Sequence, residues 1–236
     1  MHLPKIETPK YNLVIPSTKK KLSFRPFLVK EEKILLLAQQ SDNEEDQLEA
    51  VKSIIESCTF DKIKADDLTS YDIEYLFLQL RAKSVGESAD VNIKCSKCGS
   101  STPVNINLAE IDIKYPNKKI DNRIQLTDAI GVVVKNLSTA DITKLGKLGD
   151  DQVQLLNDTI AATIESVFDA DNVYPMDDAS PTEKEEFINS LSRGQMEKIE
   201  EFISNVPKLQ EEVTFKCLSC GEKNKIMLEG LQSFFN

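Results

Sequence analysis

The chain has 236 residues and a net charge of −10, and 40% of its residues are hydrophobic, as in an ordinary soluble globular protein. The chain has 39 acidic and 29 basic residues. This excess of negative charge disfavours nucleic-acid binding, because proteins that bind nucleic acid offer Lys and Arg to its phosphates. No apolar run approaches the roughly 18 residues of a membrane span, and the opening "MHLPKIETPKYNLVIP" lacks a signal-peptide pattern. We therefore expect a cytosolic protein without a membrane partner, whose thiols stay reduced.

Residues 1–28 are predicted to form an extended β-arm. The segment "KYNLVIPSTKKKLSFRPFL" contains two short extended runs joined by a polar stretch, as in paired strands. Pro16 and Pro26 restrict these runs to a sheet edge or an arm, because proline cannot donate to a ladder. The lysines Lys19–Lys21 have two interpretations, a solvated turn or a contact with an acidic partner.

Three amphipathic helices are predicted next, between residues 29 and 84. The first, "VKEEKILLLAQQ", has Glu31 near its positive N-terminal end. Its apolar flank consists of Ile34, Leu35, Leu37 and Ala38. The second, "EEDQLEAVKSIIESC", carries Cys58 in its apolar stripe, so this thiol is interpreted as a small core residue. The third begins at Thr69, whose spacing to Asp72 is typical of a capping box.

The rest of the chain alternates between strand and helix patterns, which predicts an α+β fold. A β-rich centre is expected in residues 91–136, where "VNIKC" and "TPVNINL" alternate apolar and polar residues. Helices return in "STADITKLGKL", "DQVQLLNDTIAATIESVFD", "SPTEKEEFINSL" with Ser180 as N-cap, and "SRGQMEKIEEFISNV". "EVTFKC" and "KNKIML" then form a hairpin. We expect residues 29–236 to form a single, mostly helical domain.

Two similar turns, which we call knuckles, carry the clearest chemical signal. "IKCSKCGSS" and "FKCLSCGEK" each place Cys-x-x-Cys-Gly between strand-like segments, at residues 91–108 and 211–230. One knuckle supplies two thiolates, and a structural zinc ion needs four in a tetrahedron. We therefore predict a split zinc ribbon with one structural Zn²⁺ per chain. Its predicted ligands are Cys95, Cys98, Cys217 and Cys220.

Two alternatives for the knuckles stay open at this point. Each knuckle could be half of a site completed by another chain, or one pair could be redox-active. The redox alternative is weaker, because reactive Cys-x-x-Cys pairs gain their low thiol pKa at a helix N-terminus, whereas these pairs lie between predicted strands. A catalytic zinc is disfavoured as well, since four thiolates leave no open coordination position.

Other catalytic patterns are scarce, so we expect a protein that is not an enzyme. His2 is the only histidine, which disfavours Ser-His-Asp and Cys-His arrangements. "LGKLGDD" lacks the glycine–lysine–serine/threonine order of a phosphate loop. The acidic runs "DNEED" and "EKEE" are interpreted as solvated helix faces. We expect no small-molecule substrate.

Several segments together resemble one family. The arm with "FRPFLVKEEKILLLA", the central "CSKCG", and the end "PKLQEEVTFKCLSCGEKNKIMLEGLQSFF" are similar to the baseplate hub subunits of T-even-like contractile-tailed bacteriophages. The resemblance implies a non-enzymatic structural or assembly protein of the central baseplate hub, with other baseplate proteins as partners. It also implies a location in the virion, or in the host cytoplasm during assembly. Its metal ligands would again be the four knuckle cysteines.

Two other classes of function compete with this one. A zinc-ribbon module for nucleic-acid binding or transcription would need a basic face beside the knuckles. The lysines that could supply it are Lys94, Lys97, Lys216, Lys223 and Lys225. A thiol oxidoreductase is the third class. At the C-terminus, "LEGLQSFFN" is too apolar to be left in solvent, so we expect it either to pack on its own domain or to dock on a partner.

Overall fold

The computed structural model divides the chain into two compact units. The first unit joins residues 1–114 to residues 208–236, and the second comprises residues 115–207. The residues that the structure describes are 6–41, 43–116, 121–147 and 152–234. They form seven α-helices and four small antiparallel sheets, which confirms the α+β class. The predicted boundary between an arm at residues 1–28 and a domain at residues 29–236 stays a prediction.

The first unit begins with a hairpin of two strands. Strand β1 (Tyr11–Val14) pairs antiparallel with β2 (Lys21–Phe24), as the two extended runs predicted. Ile15, Leu22 and Phe24 are buried in the core of this unit. The unit's own core therefore covers much of the apolar surface of the hairpin.

Three helices follow the hairpin, at the predicted positions. They are α1 (Val29–Gln39), α2 (Glu44–Cys58) and α3 (Ser70–Ser84). Helix α3 begins with the predicted capping box between Thr69 and Asp72, which satisfies amide groups that the first turn leaves unpaired. The buried Asp72 also accepts a hydrogen bond from the Ser17 amide at 2.9 Å. This carboxylate thereby attaches the hairpin turn to the start of α3.

Helix α1 is less buried than its apolar flank predicted. Leu35 packs against the core of the first unit. Leu37, by contrast, is 68% exposed, and its neighbour Leu36 is 54% exposed. The apolar flank of α1 is thus only partly covered, although the helix itself forms where the sequence indicated.

The remaining strands of the first unit carry the knuckles. Strand β3 (Ser88–Lys94) pairs with β4 (Ser101–Asn107), and the short β5 (Ile113–Lys114) follows. After the second unit, β10 (Lys208–Lys216) pairs with both β5 and β11 (Lys223–Glu229). The two predicted knuckle hairpins therefore exist, and β5 is a strand that the sequence patterns did not indicate.

The second unit packs helices on one four-stranded sheet. The strands, in the order β6-β7-β8-β9, are β6 (Arg123–Gln125), β7 (Gly131–Val134), β8 (Ile164–Phe168) and β9 (Val173–Pro175). The helices are α4 (Thr139–Gly146), α5 (Gln152–Thr163), α6 (Pro181–Asn189) and α7 (Arg193–Ser204). Val132, Ile160 and Ile199 are fully buried between them. The strands expected in residues 91–136 are therefore shared between the two units and do not form one β-rich centre.

One predicted helix is wrong over its last six residues. The pattern in "DQVQLLNDTIAATIESVFD" predicted helix throughout, but α5 ends at Thr163 and Ile164–Phe168 is strand β8. Along β8 successive side chains alternate between buried and less buried positions, as with Glu165 exposed and Ser166 buried. This two-residue alternation is typical of a strand. Pairing with β7 and β9 on both sides fixes this segment as a central strand. In the described part of the chain, every helix is too short or too polar to cross a membrane.

Candidate metal centre

The first knuckle is a tight turn between β3 and β4. The Cys95 amide donates to the Ser100 carbonyl at 2.9 Å, and the Gly99 amide donates to the Cys95 carbonyl at 2.9 Å. Gly99 has a φ of +72°, a conformation that glycine adopts without the steric cost of a side chain. The turn brings the amides of residues 97 and 98 toward the sulfur of Cys95.

The second knuckle repeats this construction between β10 and β11. The Cys217 amide donates to the Glu222 carbonyl at 2.8 Å, and the Gly221 amide donates to the Cys217 carbonyl at 3.0 Å. Gly221 has a φ of +74°. Because the two turns match in hydrogen bonding and in the glycine conformation, each presents its two thiols in the same way.

The four thiols come together in one cluster. The sulfur of Cys95 lies 3.7 Å from that of Cys220, and the sulfur of Cys98 lies 3.6 Å from that of Cys217. All four sulfurs lie within 4.8 Å of one another. In a tetrahedral zinc site with bonds of about 2.3 Å, the sulfurs would be about 3.8 Å apart. The donor set and its spacing therefore fit one tetrahedral metal ion, and the assignment of the four as zinc ligands stays a prediction.

Neighbouring groups shift the pKa values of the thiols in this cluster in opposite directions. The backbone amide of Cys98, with that of Lys97 and the Asn224 side chain, lowers the pKa of Cys95 to about 6. The Glu222 amide favours the Cys220 thiolate, but contact with the Cys98 thiol and burial outweigh it and raise the pKa of Cys220 to about 12. A metal ion bound by the four sulfurs would favour the thiolate form of each.

A buried asparagine connects the two knuckles. Asn224 on β11 is 2% exposed, and its side-chain oxygen accepts hydrogen bonds from the Ser96 amide at 2.9 Å and the Ser96 hydroxyl at 2.8 Å. Its side-chain nitrogen lies 3.4 Å from the Cys95 sulfur. Sequence reasoning missed Asn224. An asparagine at a strand position that is expected to face inward is unusual. This pattern in the sequence is the signal that could have identified Asn224.

The lysines beside the knuckles are exposed, but two of the five are paired with glutamates. Lys97 lies 2.8 Å from Glu222, and Lys225 lies 2.9 Å from Glu212. These pairs reduce the positive charge that the face could offer to a phosphate backbone. The basic face required by a nucleic-acid module is therefore weaker than the sequence indicated.

The other residues singled out in the sequence either are not part of the thiol cluster or lie outside the part of the chain that the structure describes. Cys58 is fully buried, which confirms it as a core residue, and burial raises the pKa of its thiol to about 11. It lies beside Arg25, which forms a buried ion pair with Glu31 at 2.8 Å. His2 and Phe235 lie outside the described residues.

Comparison with known proteins identifies the family of the chain. The family model of the T4 bacteriophage base plate protein matches residues 8–236. The chain is 25% identical over 214 residues to the baseplate hub assembly protein gp26 of Enterobacteria phage T4, and the match covers 91% of this chain and 92% of that protein. No solved structure matches the chain significantly. Because the family model spans nearly the whole sequence, this chain belongs to the T4 bacteriophage base plate protein family.

Proposed function

We propose that this chain is a non-enzymatic structural or assembly protein of a contractile phage tail baseplate, acting in its central hub. The observation that carries the proposal is the similarity over 91% of the chain to a protein named for baseplate hub assembly. Its partners are then other baseplate or hub proteins, and it acts without a small-molecule substrate, nucleic acid or membrane. It resides in the virion baseplate, or in the host cytoplasm during assembly.

The same proposal assigns the thiol cluster to one structural Zn²⁺ per chain. Its ligands are Cys95, Cys98, Cys217 and Cys220, whose sulfurs all lie within 4.8 Å of one another. Four thiolates fill the tetrahedron of a zinc ion, which leaves no position for water or substrate. The ion therefore supplies folding free energy rather than chemistry.

The position of the cluster in the chain explains why a metal is useful there. The facing cysteines are 119 and 125 residues apart in sequence, and the whole second unit is inserted between the two knuckles. Without a metal, only the pairing of β10 with β5 and the packing of residues such as Leu209 and Leu231 would hold the ends of this long insertion together. A zinc ion closes the loop with four strong bonds and holds the first unit together.

A complementation experiment tests this function. In a phage whose gene for this chain is disrupted, electron microscopy of infected cells should show a loss of complete baseplates and tails. The wild-type gene supplied from a plasmid should restore them, and a Cys217→Ser/Cys220→Ser variant should restore them poorly. Ser219→Ala, an exposed change in the same knuckle that removes no thiol, is the matched control. Normal baseplates in the complete absence of the chain would contradict the proposed function.

A further inference from the structure

The second unit contains an apolar groove between its sheet and helix α6. Val167 on β8 and Tyr174 on β9 form one wall, and Phe187 on α6 forms the other, with Met176 at the base. The groove has a volume of about 200 Å³, and its lining consists almost entirely of apolar atoms. Tyr174 is 51% exposed, so the groove is open to solvent. We call it the β8–α6 groove.

The size and lining of the groove favour a side chain over a metabolite. Sites for small molecules occupy about 300–1,000 Å³ and contain several convergent polar groups. This groove is smaller, and its charged lining residues are limited to Glu183 and Lys184. One large apolar side chain, inserted from a partner polypeptide, would fill it and bury the exposed face of Tyr174.

The sequence around the groove is strongly acidic. Residues 165–186 contain eight acidic residues and one basic residue, Lys184. Asp177 and Asp178 are exposed in the short 3-10 turn directly after the groove residue Met176. Within the part of the chain that the structure describes, neither carboxylate has an ion-pair partner. An apolar groove thus lies beside unneutralised negative charge.

We propose that the β8–α6 groove binds a basic segment of a partner protein, in which one large apolar side chain is flanked by lysines or arginines. The apolar anchor would supply the buried area, and the flanking cations would meet Asp177, Asp178 and Glu183. This combination of a buried anchor and a charged rim is typical of protein interfaces. The inference rests on the proposed function only in that an assembly protein must bind other proteins.

The charge of the chain disfavours other occupants of the groove. A second copy of this chain would bring a net charge of −10 toward the same acidic surface. Nucleic acid is excluded by the same repulsion. Strand addition along the edge strand β9 is limited as well, because Pro175 lacks an amide hydrogen. A side-chain anchor with basic flanks is the partner chemistry that remains.

A peptide titration followed by NMR tests the proposal. The probe is a six-residue peptide with two lysines on each side of a leucine–phenylalanine pair, added to the full isotope-labelled chain. Saturable shifts confined to residues 167–187 are expected, and they should weaken at higher salt. Asp177→Asn/Asp178→Asn should weaken binding by about threefold to tenfold. Ala179→Lys, which adds bulk and positive charge in the groove, should abolish it.

The controls separate charge and shape from nonspecific attraction. Asp128→Asn/Glu110→Gln removes two exposed carboxylates elsewhere and should leave binding unchanged. A peptide with serines in place of leucine and phenylalanine should not bind, nor should one with glutamates in place of the lysines. An absence of shifts at millimolar peptide, shifts mainly outside 167–187, or equal binding of the glutamate peptide would overturn the proposal.

Co-purification with the baseplate proteins of the same phage distinguishes this proposal from the proposed function. If the wild-type chain retains a baseplate protein that Ala179→Lys loses, both are supported. If both chains retain it equally, the groove proposal is wrong and the proposed function stands. If the wild type retains none, the proposed function fails, and the peptide titration still decides whether the groove binds a basic segment.

Discussion

Asn224 and Ser96 join the two knuckles through a pair of hydrogen bonds, although 128 residues separate them in sequence. The same asparagine donates from its side-chain nitrogen to the sulfur of Cys95 at 3.4 Å. A hydrogen bond to a ligand sulfur orients it and stabilises its charged form. Asn224 therefore links the folding of the hairpins to the geometry of the thiol cluster.

Asn224→Ala should weaken metal binding while all four cysteines remain. We expect zinc affinity to fall about 10- to 100-fold, as for other partners of metal ligands. The free energy of unfolding should fall by about 0.5–1.5 kcal/mol for each lost hydrogen bond, because the Ser96 amide and hydroxyl lose their acceptor. Competition with a chelator measures the affinity. Asn105→Ala, an exposed asparagine on β4, is the matched control, and equal affinity in the two variants would show that Asn224 has no role in the site.

Cys217→Ser should destabilise the whole first unit and not only its own hairpin. A metal ion held by the four cysteines would link β3–β4 to β10–β11, so its loss should lower protection of residues 1–114 together with 208–236. Hydrogen exchange measured by mass spectrometry gives this map, and the melting temperature should fall. Cys58→Ala should leave the metal content unchanged, because Cys58 is a core residue. A change confined to residues 211–230 would contradict the role of the metal in closing the long loop.

The buried ion pair between Arg25 and Glu31 should make the first unit sensitive to acid. Burial alone raises the pKa of Glu31, but hydrogen bonds from Arg25, the Leu28 amide and Ser57 outweigh it and lower the pKa to about 2. The pKa in the unfolded chain is about 4.3. The stabilisation is therefore complete above about pH 4.3 and is lost as the pH falls toward 2.

Glu31→Gln tests this pair in both stability and pH dependence. The free energy of unfolding at neutral pH should fall by about 3–5 kcal/mol, because Arg25 remains buried without its counter-charge. Denaturant unfolding at several pH values should also show a smaller loss of stability below pH 4.3 than in the wild type. Glu32→Gln, at the next and exposed position, should change neither. If the two variants behaved alike, the ion pair would not contribute as described.

Gly131 is required where β7 passes Phe168. A Cβ atom at residue 131 would overlap Cζ of Phe168 and lie 2.8 Å from its neighbouring ring atoms. Gly131→Ala should therefore destabilise the second unit by about 1–3 kcal/mol, as overpacking does in other cores. Gly146→Ala, in α4 with no atom within 4 Å of the added Cβ, should be neutral or stabilising in thermal unfolding. A stable Gly131→Ala variant would mean that the Phe168 ring can move aside at little cost.

Local signals in the sequence identified most helices and both knuckle hairpins. The capping box at Thr69 and the N-cap at Ser180 marked the starts of two helices, and both are present. Such boundaries depend on residues within one turn, so they are visible in the sequence. The four cysteines were also visible, because the spacing and the glycines repeat.

Features that depend on distant pairing were not visible in the sequence. Residues 164–168 follow a helix without a break in composition, and only the pairing of β8 with β7 and β9 makes them a strand. The short β5 likewise exists because β10 returns to pair with it. The bond between Asn224 and Ser96 requires the two knuckles to meet. Pairing between different segments of the chain leaves no pattern within either segment alone.

The most direct test of the four-cysteine zinc site is X-ray absorption at the zinc edge, on protein purified without added metal. One zinc per chain with four sulfur neighbours at about 2.3 Å is the expected result. A zinc shell containing nitrogen or oxygen in place of sulfur, or a protein without metal whose thiols are all free to react, would contradict the account.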